Sequence, residues 1–126
     1  MKNVYSTNQA PAAIGPYSQA VEVGGLLFIS GQIPLDPSSM EMVSDDVSKQ
    51  TRQVMKNLGA ILKEAGLDYK HLVKTTILLD SMDDFATVND IYASFLDEPY
   101  PARAAFEVSK LPKGAKVEIE AIASKA

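Results

Sequence analysis

Cysteine is absent from the 126 residues, and histidine occurs only once, at His71. Without cysteine the chain can form no disulfide, no thiolate nucleophile and no thiolate metal site. A single histidine cannot build a metal cluster, and no spacing of the HExxH type is present. We interpret His71 as an exposed residue where a loop meets a strand.

Long apolar runs and basic clusters are also missing. No apolar run approaches the roughly 20 residues of a membrane-spanning helix, and the first residues lack the apolar core of a signal peptide. Twelve basic and sixteen acidic residues give a net charge of −4 and a pI near 4.9. Nucleic-acid binding needs a basic face, so we expect no nucleic acid as partner. The missing apolar segments predict no membrane partner either, and we expect a cytoplasmic protein.

Two segments show the periodicity of amphipathic helices. The first covers 45–65, with Ser44 or Asp45 as its predicted N-cap and Gly66 as its stop. The second runs from about residue 82 to residue 96. The predicted apolar stripe of the first helix is Val47, Val54, Leu58, Ile61, Leu62 and Ala65. That of the second is Met82, Phe85, Val88, Tyr92, Phe95 and Leu96.

The remaining periodic segments indicate strands at 20–23, 26–30, 72–79, 104–108 and 116–123. Gly24 and Gly25 form a two-residue hairpin signal between the first two of these. The order is two or three strands, a helix, a strand, a helix and two strands. The length of the chain and this order predict one α+β domain over 1–126, with both helices on one face of a mixed sheet.

The second face of that sheet has no helix to cover it. In 116–123, alternation places one set of side chains on the core face: Val117, Ile119, Ala121 and Ala123. The opposite set mixes charged and apolar groups: Lys116, Glu118, Glu120 and Ile122. A surface of this kind is typical of partial burial or of contact with another subunit, so we expect oligomerisation through the open face.

The stretch "YPARAAF", residues 100–106, places an arginine at the start of an apolar strand. The guanidinium of Arg103 offers a fork of donors that matches a carboxylate, so it is a candidate ligand for an acidic substrate. The alternatives are a structural ion pair with Glu118 or Glu120, and a side chain that simply extends its charged end to solvent. Glu118 could orient or deprotonate a water, or could lie on a solvated strand face. We expect its strand to pair with the one that follows Arg103.

Three further positions carry polar groups in unusual places. Asn89 falls within an apolar stripe, and we favour a hydrogen bond from its amide to the backbone of a neighbouring loop. Tyr17 follows a Gly-Pro turn and either faces a ligand or packs in the core. Ser30 and Gly31 could admit a small molecule, although a β-bulge or the end of a strand would explain them equally well.

Together these stretches resemble the Rid family (YjgF/reactive intermediate deaminase), whose members were once labelled translation inhibitors. The resemblance rests on "AAIGPYSQA", "FISGQIP", "DFATVNDIY" and above all "PARAAFEVSKLPKGAKVEIEA". It runs nearly end to end and is strongest to the RidA branch. It implies a chorismate-mutase-like fold assembled as a homotrimer, with a site in each cleft between subunits.

The resemblance also implies an activity, the hydrolysis of 2-imino or 2-enamino acids to 2-oxo acids and ammonia. The expected substrates include 2-iminobutanoate and 2-iminopropanoate, and neither a metal nor another cofactor is expected. The alternatives are a regulatory module that binds small carboxylates, and a ribonuclease or translation inhibitor as in the older family label. The acidic pI weighs against a nucleic-acid substrate.

Residue roles follow from the same resemblance. Arg103 matches the ligand of the substrate carboxylate, and Glu118 matches the glutamate that positions the attacking water. Tyr17 matches a tyrosine of the pocket, while Ser30 and Asn89 match polar positions at or near it.

The backbone from Arg103 to Ala105, and hence Ala104, would also contact the substrate. Many bacterial relatives have cysteine at the position of Ala105. We expect the alanine to be neutral for activity, because the backbone N–H is unchanged.

Overall fold

One six-stranded mixed sheet forms the centre of the chain in a computed structural model, which describes residues 1–125. Its strands are β1 (Asn3–Tyr5), β2 (Ala20–Val23), β3 (Leu26–Gln32), β4 (Leu72–Leu79), β5 (Ala102–Glu107) and β6 (Val117–Ser124). They lie in the order β1-β2-β3-β6-β4-β5. Only the pairing of β4 with β5 is parallel; the other neighbours are antiparallel.

Two helices connect the strands. Helix α1 covers Val47–Glu64 and helix α2 covers Phe85–Ser94. Gly66 follows α1 in the left-handed region, with φ of 78°, as predicted for a helix stop. No helix within residues 1–125 is long and apolar enough to cross a membrane.

The start of each helix differs from the prediction. The N-cap of α1 is Asp46, whose carboxylate accepts a hydrogen bond from the Lys49 N–H. Ser44 lies two residues before this N-cap and accepts from the Asp46 N–H, so the predicted caps at Ser44 and Asp45 were wrong. Met82 lies exposed in a 3₁₀ turn before α2 and contributes nothing to its buried stripe.

Both helices lie on one face of the sheet, which confirms the predicted α+β architecture. Alternate residues of β3, β4 and β6 are buried on that face: Leu27, Ile29, Ile77, Leu79, Val117, Ile119, Ala121 and Ala123. The helices cover them mainly with Val54, Leu58, Ile61 and Leu62 of α1 and Val88 and Tyr92 of α2. The core therefore occupies the layer between the helices and the sheet.

The opposite face of the sheet carries exposed apolar side chains. Phe28 is 41% exposed and Phe106 is 54% exposed. Phe106 lies beside Leu78, which in turn lies beside Glu118, so this open face mixes aromatic and carboxylate groups. No described element of the chain packs over it.

The strand order corrects the expectation that β5 and β6 pair. Helix α2 carries the chain from β4 to the parallel strand β5 at the edge of the sheet, and β6 then enters between β3 and β4. Strand β5 starts at Ala102 and β6 at Val117, each within two residues of the predicted start. Strand β1 has three residues, which is too short for a periodic signal.

Candidate active site

Arg103 lies on the helix-covered side of edge strand β5. It is in register with buried Thr75, and its side chain extends over α2. The guanidinium carbon lies 5.3 Å from the ring centre of Phe85 and 5.5 Å from that of Tyr92. Its Nη1 donates a hydrogen bond to the Asn89 side-chain oxygen. Two aromatic rings and one amide therefore fix the direction of the guanidinium.

The positive charge of Arg103 has no acidic partner within residues 1–125. Neither Glu118 nor Glu120 forms the structural ion pair that the sequence allowed, since every ion pair of the described residues involves a lysine or His71. A cavity of about 420 Å³ lies next to the guanidinium. It is lined by Asn89, Tyr92, Ala93, Tyr100, Pro101 and Arg103. The exposed guanidinium thus has room beside it for an anion.

Asn89 acts on Arg103 and not on a loop. The sequence favoured a bond from its amide to loop backbone, and this was wrong, because α2 points the half-buried side chain toward β5. Beneath it, the Tyr92 and Thr75 hydroxyls lie 2.6 Å apart. Burial raises the pKa of Tyr92, so its hydroxyl stays neutral and holds α2 against β4.

Glu118 projects from the opposite face of the sheet. Its neighbours Val117 and Ile119 are fully buried in the core, so alternation directs the carboxylate to the open face. Burial, and to a lesser degree the charge of Glu120, raise the pKa of Glu118. A carboxylate with a raised pKa near a pocket can hold a water and accept its proton.

A second cavity, of about 610 Å³, contains the carboxylate of Glu118. Its polar lining includes Tyr17, Ser30, Gly31, Glu118 and Glu120, and its apolar wall includes Pro11, Ile14, Leu35, Met40 and Pro112. Half-buried Ser30 donates its hydroxyl to the Ser18 carbonyl at 2.6 Å. Tyr17 is 52% exposed at the mouth of the cavity, so of its two interpretations, packing in the core is wrong.

Comparison with known proteins identifies the family. Residues 7–125 match the model of a family described as endoribonuclease L-PSP. A protein of the conserved Rid family from Yersinia pestis, YyfA, has a solved structure that matches with a TM-score of 0.96 and 50% identity, over 98% of this chain and 99% of that one. This chain belongs to the Rid family.

Two other Rid relatives carry more informative names. A mouse protein named 2-iminobutanoate/2-iminopropanoate deaminase is 55% identical over 98% of this chain and 91% of its own length. The structure of Escherichia coli TdcF with bound serine matches with a TM-score of 0.93 and 42% identity, covering 98% of this chain and 99% of that one.

The candidate site residues of this Rid chain form two separate groups. Arg103 and Asn89 lie on the helix-covered side, whereas Glu118 lies on the open side with Tyr17 and Ser30. Because the sheet separates them, one copy of the chain does not bring the guanidinium and the carboxylate into one cavity. Ala104 and Ala105 follow Arg103 on the edge strand β5, whose outer edge pairs with no other described strand.

Sequence reasoning missed two parts of this candidate site. The rings under Arg103 belong to Phe85 and Tyr92, which appeared only as members of a helical stripe. Their spacing of seven residues, with Asn89 between them, was a usable signal. Gln19 was not singled out, although it is buried and bonds the segment that carries Pro11. Within residues 1–125 there is no metal-binding cluster of His, Asp and Glu side chains.

Proposed function

We propose that this chain is a hydrolytic deaminase that converts reactive 2-imino and 2-enamino acids, including 2-iminobutanoate and 2-iminopropanoate, to 2-oxo acids and ammonia. The observation that carries the proposal is the guanidinium of Arg103, oriented by its neighbours, without an acidic partner and beside an open cavity. The name of the mouse relative supports the same reaction. The proposal includes a single domain over 1–126 and a cytoplasmic location.

The proposed enzyme is a homotrimer of the chorismate-mutase-like type. Arg103 and Asn89 of one copy meet Glu118, Tyr17 and Ser30 of the next copy in a cleft between subunits. The separation of the two groups by the sheet supports this arrangement, because a second copy is needed to unite them. The exposed aromatic side chains of the open face support it as well.

The reaction needs no nucleophilic side chain, because an imine carbon is already electrophilic. The substrate carboxylate binds Arg103 and contacts the backbone of Ala104 and Ala105, which fixes the C=N carbon in front of a water held by Glu118. The water oxygen bonds to that carbon as the π electrons move to nitrogen, and Glu118 accepts the water proton. Proton transfer to nitrogen, loss of the hydroxyl proton and cleavage of the C–N bond then release ammonia and the 2-oxo acid. The rate gain comes mainly from orientation.

Removal of the guanidinium tests the carboxylate ligand. In an assay coupled to threonine dehydratase, the protein should accelerate the appearance of 2-oxobutanoate at low buffer amine. Arg103→Ala should fold and assemble normally but lose kcat/KM by about 10- to 100-fold, since a charge-assisted hydrogen bond is removed. Arg52→Ala, at an exposed arginine of α1, is the matched control and should keep full activity. Full activity of Arg103→Ala would contradict the proposed role of Arg103 as the ligand of the substrate carboxylate.

Mixed assemblies test the site between subunits. Arg103→Ala and Glu118→Gln should each keep at most about a tenth of the wild-type activity alone. Co-expressed subunits should regain about a quarter of the wild-type sites, because random assembly pairs an intact Arg103 with an intact Glu118 that often. Co-expression of two tagged copies of Arg103→Ala is the control and should stay at the level of that variant alone. No recovery in mixed assemblies that contain both tags would contradict a shared site.

The description of the family as endoribonuclease favours a second candidate function. The net charge of −4 opposes it, because RNA binding draws on basic groups. Cleavage of a labelled RNA by wild type but not by Glu118→Gln would support this candidate. Binding of 2-oxobutanoate without any acceleration of imine hydrolysis would instead favour the regulatory module.

A further inference from the structure

The missing side chain of Gly31 leaves the space that the carboxylate of Glu118 occupies. A Cβ atom built on Gly31 would lie 2.0 Å from Oε2 of Glu118, 2.9 Å from its Cδ and 3.2 Å from its Cγ. The first two distances are too short for any real contact. Gly31 is also not among the glycines with positive φ, so its backbone conformation is open to other residues. Glycine is required here by space and not by backbone geometry.

A bulge in β3 brings Gly31 against Glu118. Ile29 pairs with Ala121 of β6, but Gln32 pairs with Ile119, so three steps along β3 match two steps along β6. The extra residue lies in the Ser30–Gly31 stretch, and a bulge of this kind redirects the strand locally. The bulge therefore lies at the cavity that holds Ser30, Gly31 and Glu118.

We infer that Gly31 is a positioning residue: because it has no side chain, the carboxylate of Glu118 can occupy the cavity with Tyr17 and Ser30. This inference rests on the proposed function, which assigns the water-holding role to Glu118. Any larger residue at position 31 would displace the carboxylate from that cavity.

The side chain of Glu118, which an added Cβ would meet, determines the effect of a substitution at Gly31. The atoms that a Cβ would meet belong to the far end of a flexible side chain, which can rotate away without moving the backbone. Gly31→Ala should therefore fold normally and leave Glu118 turned out of place. Because Arg103 of the other copy holds the substrate carboxylate, the effect should fall on kcat and leave KM nearly unchanged.

A double-mutant cycle tests the inference on the full chain. We expect Gly31→Ala to lower kcat by about 100-fold, the scale of a lost general base. In the Glu118→Gln background the same change should have no further effect, because Gly31 acts through that carboxylate. Gly59→Ala is the matched control: its Cβ would meet the Tyr69 hydroxyl at 2.3 Å on the other side of the molecule, so kcat should stay unchanged.

A readout independent of activity is the titration of Glu118 by carbon-13 NMR of its carboxyl group. Within one copy, burial and the charge of Glu120 raise the pKa of Glu118, and in the proposed cleft the Arg103 cation of the next copy lowers it. The displaced carboxylate of Gly31→Ala leaves both influences, so its titration should move away from the wild-type position. Gly59→Ala should leave the titration in place.

The positioning role of Gly31 and the proposed function would be contradicted by different outcomes. Full kcat in Gly31→Ala, additive losses in the double variant, or an unmoved titration would each overturn the positioning role of Gly31. Full kcat in Glu118→Gln would instead overturn the proposed function, and the titration would still test whether Gly31 holds the carboxylate.

Discussion

Arg103 keeps an uncompensated positive charge because its neighbours are aromatic rings and a neutral amide. Contacts of a guanidinium with aromatic faces contribute about 0.5–2 kcal/mol each, so Phe85 and Tyr92 can hold the group without neutralising it. Asn89 adds directionality through its oxygen. A carboxylate at either place would compete with an acidic ligand, whereas this set leaves the remaining donors free for one.

The charge of Glu120 should set part of the pH dependence of the reaction. In the proposed mechanism Glu118 is ionised and accepts the water proton, so activity should fall as the pH drops through its raised pKa. Glu120→Gln removes a like charge, which lowers the pKa of Glu118 and moves the acid limb of the kcat/KM profile to lower pH. Glu64→Gln, at an exposed residue of α1, should leave the limb in place. A shift to higher pH in Glu120→Gln would contradict the assignment.

The sequence singles out candidate site residues more readily than it shows their arrangement. An arginine after two prolines and a glutamate in an alternating strand are visible as unusual placements. Whether they face each other depends on which side of the sheet each occupies, and that depends on the strand order. The sequence could not reveal Gly31 for the same reason. Its proposed role is to leave space for Glu118, and that residue is distant in sequence.

At the scale of elements, Gln19 fastens the segment before β2 to the sheet. Its side-chain oxygen accepts from the Thr7 N–H at 2.7 Å, and its nitrogen donates to the Pro11 carbonyl at 2.7 Å. Gln19 itself is only 4% exposed, whereas Thr7 and Pro11 are half-buried. Pro11 belongs to the wall of the cavity that holds Glu118, so this network also shapes the candidate site.

Loss of the Gln19 network should destabilise the chain. Gln19→Leu should lower the free energy of unfolding by about 1–3 kcal/mol, because partly buried backbone groups lose their partners. Urea denaturation measures the change. Gln9→Leu is the control: Gln9 is exposed and, within residues 1–125, its side chain bonds only to Asn8, so stability should be unchanged. Equal stability of both variants would show that the network contributes little.

Single elements were predictable where the local pattern was strong. The run of β-branched and apolar residues in β4 predicted its bounds correctly, and Gly24 and Gly25, with φ of 59° and 78°, form the predicted hairpin turn. The order of the strands was not predictable from such patterns. Adjacent strands often pair, but α2 carries β5 to the far side of β4, and packing of the whole layer decides that position.

At the scale of the whole molecule, the open face should form the contact between copies. Phe106→Lys places a charge in that contact and should shift the assembly from trimer toward monomer, because apolar burial of about 1.5–3 kcal/mol per side chain is lost. Light scattering after size exclusion measures the mass, and imine hydrolysis should fall with it. Met82→Lys, at an exposed methionine before α2, should leave the trimer intact. A wild-type monomer at micromolar concentration would contradict the proposed assembly.

The central position of β6 has a consequence for biosynthesis. This strand joins β3 to β4, yet it follows every other strand of the sheet in the sequence. While a ribosome is still making the segment before it, the two halves of the sheet have nothing between them, and the hydrophobic layer stays incomplete. Folding of the nascent polypeptide must therefore wait until Val117–Ser124 has left the exit tunnel, and a stalled ribosome would present an unfinished sheet to chaperones and proteases.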